Sequence, residues 1–261
     1  MSRLDWPAPS ETEGPIVIAH RGASGTFPEN TEAAFLAALS AGVRTWECDI
    51  RLTRDATPVV IHDASLDRTT DGKGPVREMT LGEVRRLSAG YPVRFADRFA
   101  RQKVPTLEEA LRLARGEARL LIELKTDGGD ADRADLLARA AVDQVTAAGA
   151  FYQTALVSFD QEVLSEASRL APEIAIGLLV PPDAPSGGLD VALMIGARFL
   201  IVARPALSED LSMAARSASM LLGTYTVNDG QELETVLPFG LYAVASDFPE
   251  RLAAHPAVRR A

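Results

Sequence analysis

The stretch TWECDIRLTRDATPVVIHD, residues 45–63, decides the fold, because it places two apolar, strand-like runs very close together in the chain. The runs are 45–52 and 58–62, and only Thr53 to Thr57 separates them. A crossover between parallel strands needs about a dozen residues or more, whereas an antiparallel hairpin needs only a few. The sequence therefore predicts an antiparallel hairpin at this point.

Short apolar runs alternate with longer helix-like segments along the rest of the chain, which predicts a parallel sheet covered by helices. The candidate strands are 16–20, 45–52, 58–62, 119–124, 154–159, 174–180, 198–203, 220–227 and 241–245. The candidate helices are 30–41, 106–115, 131–149, 161–170, 187–196, 209–218 and 230–237. Once the antiparallel run 58–62 is set aside, eight parallel strands remain. The expected fold class is α/β, in the form of a TIM (β/α)8 barrel.

A single domain, 1–261, is expected, because α/β barrels of this length commonly form one domain. One segment, 64–104, differs from the rest. At about 40 residues it is too long for an ordinary loop between barrel elements, and it carries one short helical pattern, Leu81–Leu87. We therefore expect 64–104 to be a small inserted subdomain that is positioned to cover the mouth of the barrel.

Composition narrows the classes of partner. A net charge of −9 is unfavourable for binding nucleic-acid phosphates and gives no long-range attraction to an anionic membrane. No apolar run is long enough for membrane insertion, and Met1 to Gly14 lacks the apolar segment of a secretory signal. The single cysteine, Cys48, excludes an intramolecular disulfide and fits a reducing compartment. We expect a soluble, cytoplasmic protein that acts on a small molecule; the sequence does not specify its oligomeric state.

Charged and polar side chains lie at or near the carboxyl ends of four of the predicted strands. They are His20 and Arg21, Glu47 and Asp49, His62 and Asp63, and Glu123 and Lys125. The carboxyl ends of the strands of a TIM barrel meet at one face, where the active site lies. The hairpin folds the chain back and so returns His62 to the level of the acids. We expect these groups to converge on one site.

The three acids of this set predict a metal centre. Glu47 and Asp49 are two residues apart on a strand, so both point to the same face, and Glu123 repeats the arrangement on the next parallel strand. Three carboxylates in one cavity repel each other unless a cation lies among them. Oxygen ligands alone suit Mg²⁺ or Ca²⁺. In the alternative interpretation the acids are ion-paired with Lys125, Arg21 or Arg51 and bind no metal.

The histidines predict proton transfer. The chain has only three, and two of them, His20 and His62, fall at strand ends on the same face, whereas His255 lies in the C-terminal tail. A pair of imidazoles beside carboxylates suits a general acid and a general base. The alternative is one orienting and one packed histidine. Asp63 either orients a ring or caps a loop.

The cations of the set, Arg21 and Lys125, would bind phosphate oxygens, and salt bridges to the acids are compatible with that role. Glu29 either hydrogen-bonds within the site or belongs to a capping turn. Asn30 or Thr31 is expected to be the N-cap of the helix that follows.

Eight motifs, in this order along the chain, resemble the glycerophosphodiester phosphodiesterase family, in particular its short cytosolic bacterial members. They are IAHRGASGTFPENT (18–31), WECDIRLT (46–53), VVIHDASLDRTTDGKG (59–74), PTLEEAL (105–111), LLIELK (120–125), SFD (158–160), YTVN (225–228) and SDFP (246–249). The resemblance implies a TIM barrel of the phospholipase C-like phosphodiesterase type. It also implies metal-dependent hydrolysis of glycerophosphodiesters to sn-glycerol 3-phosphate and an alcohol.

Site residues carry over position by position under this resemblance. It implies catalytic histidines at His20 and His62, metal ligands at Glu47, Asp49 and Glu123, phosphate-binding cations at Arg21 and Lys125, and an aromatic wall of the glycerol pocket at Tyr225. We expect His20 to be the base and His62 the acid. Trp46, which stands where the family usually has a small apolar residue, is expected to serve packing.

Several functions of the same site remain open. A lysophospholipase D-like or sphingomyelinase D-like activity would need an apolar channel for an acyl chain. Six apolar side chains of the insertion would line such a channel or form a core of their own: Leu66, Leu81, Val84, Leu87, Val93 and Phe95. A binding module that captures glycerophosphodiesters without cleaving them is an alternative of another class. The sequence also does not specify the head-group alcohol, for which choline, ethanolamine, glycerol and inositol are the candidates.

Overall fold

Eight parallel strands close into a barrel in the computed structural model, which describes residues 5–7, 14–126, 130–182 and 187–259. The strands in these ranges are β1 (Ile16–Ala19), β2 (Thr45–Leu52), β3 (Pro58–Val60), β4 (Arg119–Leu124), β5 (Thr154–Ser158), β6 (Ala175–Val180), β7 (Phe199–Ala203), β8 (Leu221–Tyr225) and β9 (Ala243–Ser246). Strand β1 pairs with β2 on one side and with β9 on the other, and all barrel pairs are parallel. The predicted TIM barrel is confirmed.

The predicted hairpin is confirmed as well, with one correction. Strand β3 pairs antiparallel with β2, with Ile50 opposite Val60. The prediction that this strand extends to His62 is wrong, because β3 ends at Val60. The Ile61 N–H still donates to the carbonyl of Asp49 at 2.9 Å, so the chain stays beside β2 while the ladder ends.

The helices surround the barrel, and each helix predicted from the sequence is present. The described ranges contain α1 (Glu32–Ser40), α2 (Leu81–Val84), α3 (Pro92–Phe95), α4 (Leu107–Ala114), α5 (Ala131–Ala147), α6 (Gln161–Leu170), α7 (Gly188–Met194), α8 (Glu209–Ser217), α9 (Gly230–Val236) and α10 (Pro249–Ala253). The sequence did not predict α3 and α10, which are too short to show a helical period. Within the described ranges, no helix combines the length and the apolar character needed to cross a membrane.

The strand residues alternate between two apolar cores. Trp46, Cys48 and Ile50 of β2 are fully buried against the helices, and Trp46 stacks on Phe35 of α1 with ring centroids 5.2 Å apart. The expectation that Trp46 serves packing is confirmed. Side chains such as Leu121 of β4 fill the inside of the barrel. The polar residues of β2 and β4 share this inner face.

The segment 64–104 connects β3 to α4 and has a small core of its own. Leu66 and Val84 are buried in it together with Val59 and Ile61 of the hairpin, and Leu81 and Leu87 pack against it. Val93, in contrast, is 88% exposed. Four of the six apolar side chains considered for an acyl channel therefore form a core instead.

Candidate active site

Three carboxylates converge on the inner face of the barrel. Glu47 and Asp49 both lie on β2, and the parallel register places Asp49 beside Glu123 of β4. All three are buried, and one carboxylate oxygen from each lies within 4.8 Å of the others. Their spacing produces this arrangement, because alternate residues of a strand point to the same face.

Burial and mutual repulsion change the ionisation of these acids. Burial raises the pKa of Glu47 well above its ordinary value, and the charges of Asp49 and Glu123 raise it further. Burial and then the charge of Asp49 raise the pKa of Glu123 to about 7. Burial also acts on Asp49, but the charges of Arg21 and Lys125 outweigh it and lower the pKa of this carboxyl. Asp49 is thus ionised, whereas burial and repulsion disfavour the charged forms of Glu47 and Glu123, a cost that a bound cation would relieve.

Arg21 and Lys125 lie against the same acids. The Nε atom of Arg21 is 3.2 Å from Oδ2 of Asp49, and the Nζ atom of Lys125 is 3.0 Å from Oδ1 of Asp49. Lys125 also forms an ion pair with Glu123. Of the salt bridges considered from the sequence, those of Arg21 and Lys125 are therefore present. Both side chains keep part of their surface exposed to solvent, so they can also meet a ligand.

A tight turn after β1 brings the backbone of Arg21 into the site. Arg21 has a φ of 56° and Gly22 a φ of 76°, which is the left-handed region that favours glycine. A Cβ atom at Gly22 would lie only 2.6 Å from the backbone of Ala34. This turn lets the N–H of Arg21 donate to Oε2 of Glu47 at 2.9 Å.

The carboxylate oxygens fit a hard divalent cation. Oε1 of Glu47 and Oδ1 of Asp49 are buried and accept no hydrogen bond from the described residues, although Oδ1 has Lys125 as an ionic neighbour. Buried polar atoms are normally hydrogen-bonded, so Oε1 of Glu47 in particular marks a place for a positive ligand. A site made of oxygen atoms suits Mg²⁺ or Ca²⁺. The three acids therefore form a candidate metal centre, while their role as ligands and the identity of the ion stay predictions.

His20 links this centre to the last strand. Its Nδ1 atom lies 2.7 Å from Oδ1 of Asp247, and its Nε2 atom lies 4.0 Å from Oε2 of Glu47. The pKa of Asp247 is lowered, because hydrogen bonds from His20 and Asn228 outweigh the effect of its burial. The carboxylate of Asp247 therefore accepts the hydrogen of Nδ1. Nε2 is left to exchange protons beside the acids.

His62 has the same kind of partner. Its Nδ1 atom lies 2.7 Å from Oδ1 of Asp63, so Asp63 orients the ring, as one of the two interpretations held. Burial lowers the pKa of His62, and the nearby charges of Arg21 and Lys125 lower it further, against the opposing charge of Asp49 and the hydrogen bond to Asp63.

Neither Glu29 nor Asn30 caps α1, and the side chains of both contact charged residues of the site instead. Glu29 forms ion pairs with Arg21 at 3.0 Å and with Arg68 at 2.7 Å. The side chain of Asn30 is buried and donates from Nδ2 to Oδ2 of Asp49 at 2.7 Å. The N-cap of α1 is Thr31, whose side chain accepts from the N–H of Ala34.

Tyr225 ends β8 at the same face of the barrel. Its hydroxyl donates to the carbonyl of Val180 at 3.2 Å, and its ring packs edge-on against Phe159 with centroids 6.4 Å apart. Its predicted role as a wall of the glycerol pocket stays a prediction.

Three further residues of the site were not predicted from the sequence. Asp247 directly follows β9, so the strand-end rule could have identified it within the SDFP motif. Asn30 was considered only as a helix cap. Arg68 lies in the segment 64–104, and no periodicity or spacing indicates that its side chain reaches the site.

Comparison with known proteins agrees with this geometry. The model of the glycerophosphoryl diester phosphodiesterase family matches residues 20–251. A glycerophosphodiester phosphodiesterase of Caldanaerobacter subterraneus subsp. tengcongensis is 32% identical over 91% of this chain and 96% of its own length. A glycerophosphodiester phosphodiesterase from Agrobacterium tumefaciens has a TM-score of 0.77 and 30% identity, over 92% of this chain and 99% of that one.

A phosphodiesterase from Oleispira antarctica, solved in complex with the product sn-glycerol-3-phosphate, has a TM-score of 0.82. It is 29% identical over 92% of this chain and 95% of its own. Because the family model matches residues 20–251 and a relative that is 32% identical covers 91% of this chain, the chain belongs to the glycerophosphodiester phosphodiesterase family and is an enzyme of that class.

Proposed function

We propose that this enzyme hydrolyses glycerophosphodiesters to sn-glycerol 3-phosphate and an alcohol, in a reaction that depends on a divalent cation. The observation that carries the proposal is the 4.0 Å approach of His20 Nε2 to Glu47, one of the three clustered carboxylates. It puts a proton-exchanging imidazole beside a candidate cation centre. The sn-glycerol-3-phosphate bound to the Oleispira antarctica relative supports the same product here.

The charged side chains have two separate roles in binding the phosphate. Glu47, Asp49 and Glu123 would hold Mg²⁺ or Ca²⁺, and a bound cation neutralises charge on a phosphate oxygen. Arg21 and Lys125 stabilise the negative charge that grows on the remaining oxygens in the transition state. Glu29 holds the Arg21 guanidinium at 3.0 Å.

The two histidines divide the proton transfers. His20 removes the proton from the nucleophile, which is either water or the 2-hydroxyl of glycerol. Attack by the 2-hydroxyl forms a cyclic phosphate, which water then opens to sn-glycerol 3-phosphate. His62, as the imidazolium, gives its Nε2 proton to the leaving alkoxide. Asp247 and Asp63 each lie 2.7 Å from Nδ1 of their histidine, so both rings present Nε2 for these transfers. Tyr225 forms a wall of the glycerol pocket.

The test is a product assay. The purified protein is stripped with a chelator and given glycerophosphocholine, glycerophosphoethanolamine, glycerophosphoglycerol or glycerophosphoinositol, with Mg²⁺ or Ca²⁺ restored in turn. We expect release of sn-glycerol 3-phosphate only when a cation is restored, and the preferred substrate identifies the alcohol. Absence of this product with every substrate and both cations would disprove the proposal.

An activity on lipids with an acyl chain is the less favoured function. A lysophospholipase D-like or sphingomyelinase D-like enzyme needs room for that chain, and Leu66 and Val84 of the insertion are instead part of a packed core.

We further propose that residues 1–261 form a single domain, that 64–104 is an inserted subdomain within it, and that the protein acts in the cytoplasm. The chain ends, 1–4, 8–13 and 260–261, lie outside the described residues.

A further inference from the structure

Arg68 lies at the centre of an ion-pair network that joins the insertion to the candidate active site. Its Nε and Nη2 atoms donate to the two oxygens of Asp63 at 2.7 and 2.8 Å. Its Nη1 and Nη2 atoms donate to the two oxygens of Glu29 at 2.7 and 2.9 Å. A further N–H of Nη1 reaches the hydroxyl of Tyr91 at 3.4 Å. All five N–H donors of the guanidinium are therefore engaged.

One oxygen of Asp63 connects Arg68 to a histidine. Oδ1 of Asp63 accepts from Arg68 and also lies 2.7 Å from Nδ1 of His62. A guanidinium can only donate, so both oxygens of Asp63 act as acceptors and Nδ1 of His62 carries the hydrogen. The orientation and the tautomer of the His62 ring therefore follow from where Asp63 is held.

The position of the Asp63 carboxylate depends on Arg68 more than the position of the Glu29 carboxylate does. Glu29 has a second cationic partner, Arg21, and its side chain is 9% exposed. Asp63 is 27% exposed, and within the described part of the chain its ion pairs are with His62 and Arg68. Without Arg68, water and alternative rotamers would compete for the Asp63 carboxylate. Removing Arg68 should therefore disturb the orientation of His62 more than that of Arg21.

We propose that Arg68 is a positioning residue that acts through Asp63 on His62, so that the insertion sets the geometry of one of the two histidines. The inference rests on the proposed function, because it takes His62 as a group that exchanges a proton. The double fork on two carboxylates needs the planar guanidinium, since a lysine supplies a charge but no fixed pair of donors.

The test is a double-mutant cycle on the full chain, with kcat and KM measured for the wild type, Arg68→Gln, Arg68→Lys, His62→Ala and His62→Ala/Arg68→Gln. We expect Arg68→Gln to lower kcat by about 10- to 100-fold, the usual effect of losing a group that orients a site residue. KM should change less than about threefold, because the phosphate-binding cations keep their places. Arg68→Lys should recover little of the lost kcat. The double variant should match His62→Ala within about threefold, since coupled residues are not additive.

Arg54→Gln is the matched control. Arg54 also ties the hairpin to the insertion, through an ion pair with Glu83 at 3.4 Å and a hydrogen bond to the carbonyl of Glu78 at 3.0 Å. Its kcat should equal that of the wild type. The far-UV circular dichroism spectrum and the Tm of Arg68→Gln, compared with those of the wild type, show whether the variant is folded.

Two outcomes would overturn the inference while leaving the proposed function intact. One is a wild-type kcat in Arg68→Gln or in Arg68→Lys. The other is a full further loss when Arg68→Gln is added to His62→Ala, because Arg68 would then act by another route. Wild-type turnover in His62→Ala itself would instead overturn the two-histidine mechanism, and this inference with it.

Discussion

Nε2 of His20 lies 4.0 Å from Oε2 of Glu47, although His20 directly follows β1, Glu47 lies on β2 and the two are 27 positions apart. The contact follows from the closure of the barrel, in which Ala19 of β1 pairs with Trp46 of β2. Because the opposite ring nitrogen faces Asp247, the imidazole is held between an orienting acid and the carboxylate centre.

Replacing either site histidine should remove most of the activity. We expect His20→Ala and His62→Ala each to lower kcat by at least about 100-fold, which is the usual contribution of general acid–base catalysis. His255→Ala is the control, since His255 pairs with Glu234 near the C-terminus and should leave the rate unchanged. Near-normal turnover in both site variants would show that the two-histidine mechanism is wrong.

Asp247→Asn should slow the reaction by at least about tenfold, since a group that orients a site residue commonly contributes this much. An asparagine keeps the shape of the side chain but lacks the charge that holds the Nδ1 hydrogen of His20. The kcat of the variant, with KM measured in parallel, checks this effect. A wild-type kcat would mean that Asp247 does not orient His20.

The stability of the chelated protein should depend on pH through Glu123. Its folded-state pKa of about 7 lies above the ordinary value of 4.5, so the folded state binds this proton more tightly than the unfolded state. The stability that the proton provides is present below about pH 4.5 and is lost as the pH rises through about 7. The Glu123→Gln variant has no carboxyl group at this position, so its stability lacks this pH-dependent contribution.

Thermal unfolding in a chelator between pH 5 and pH 8 measures this effect. The Tm of the wild type relative to that of Glu123→Gln should fall as the pH rises. Added Mg²⁺ at pH 8 should raise the Tm of the wild type more than that of the variant. A difference in Tm that stays constant across this range would contradict the raised pKa.

Phe35→Ala should destabilise the barrel without acting on the chemistry. Phe35 is 1% exposed and stacks on Trp46, and deleting a buried aromatic side chain costs about 3–5 kcal/mol. Its neighbour Leu36 is 42% exposed, so Leu36→Ala should cost less than about 1 kcal/mol. Denaturant unfolding measures both values. Equal losses in the two variants would contradict the packing described for α1.

The barrel could be predicted from the sequence because its elements are long and periodic. The connection from Thr53 to Thr57 alone excludes a parallel crossover, and the i, i+2 spacing of Glu47 and Asp49 fixes their common face. The convergence of the three acids follows from these two facts and the closure of the sheet. The end of β3 was less predictable, since the pairing stops while the apolar pattern continues through Ile61.

The orienting partners were harder to predict because they depend on tertiary structure. Asp247 meets His20 across 227 positions of the chain, and only the meeting of β9 with β1 brings them together. Arg68 lies in a segment whose helices have four residues or fewer, such as α2 and α3. Such short elements have no period from which the direction of a side chain can be inferred.

The most direct test of the central claim is a crystal structure of the protein with sn-glycerol 3-phosphate and Mn²⁺, in which the ion is located by its anomalous signal. We expect one ion ligated by Glu47, Asp49 and Glu123, with the phosphate in contact with Arg21 and Lys125 and within reach of both histidines. An ion bound elsewhere, or a phosphate that neither His20 nor His62 can reach, would contradict the claim.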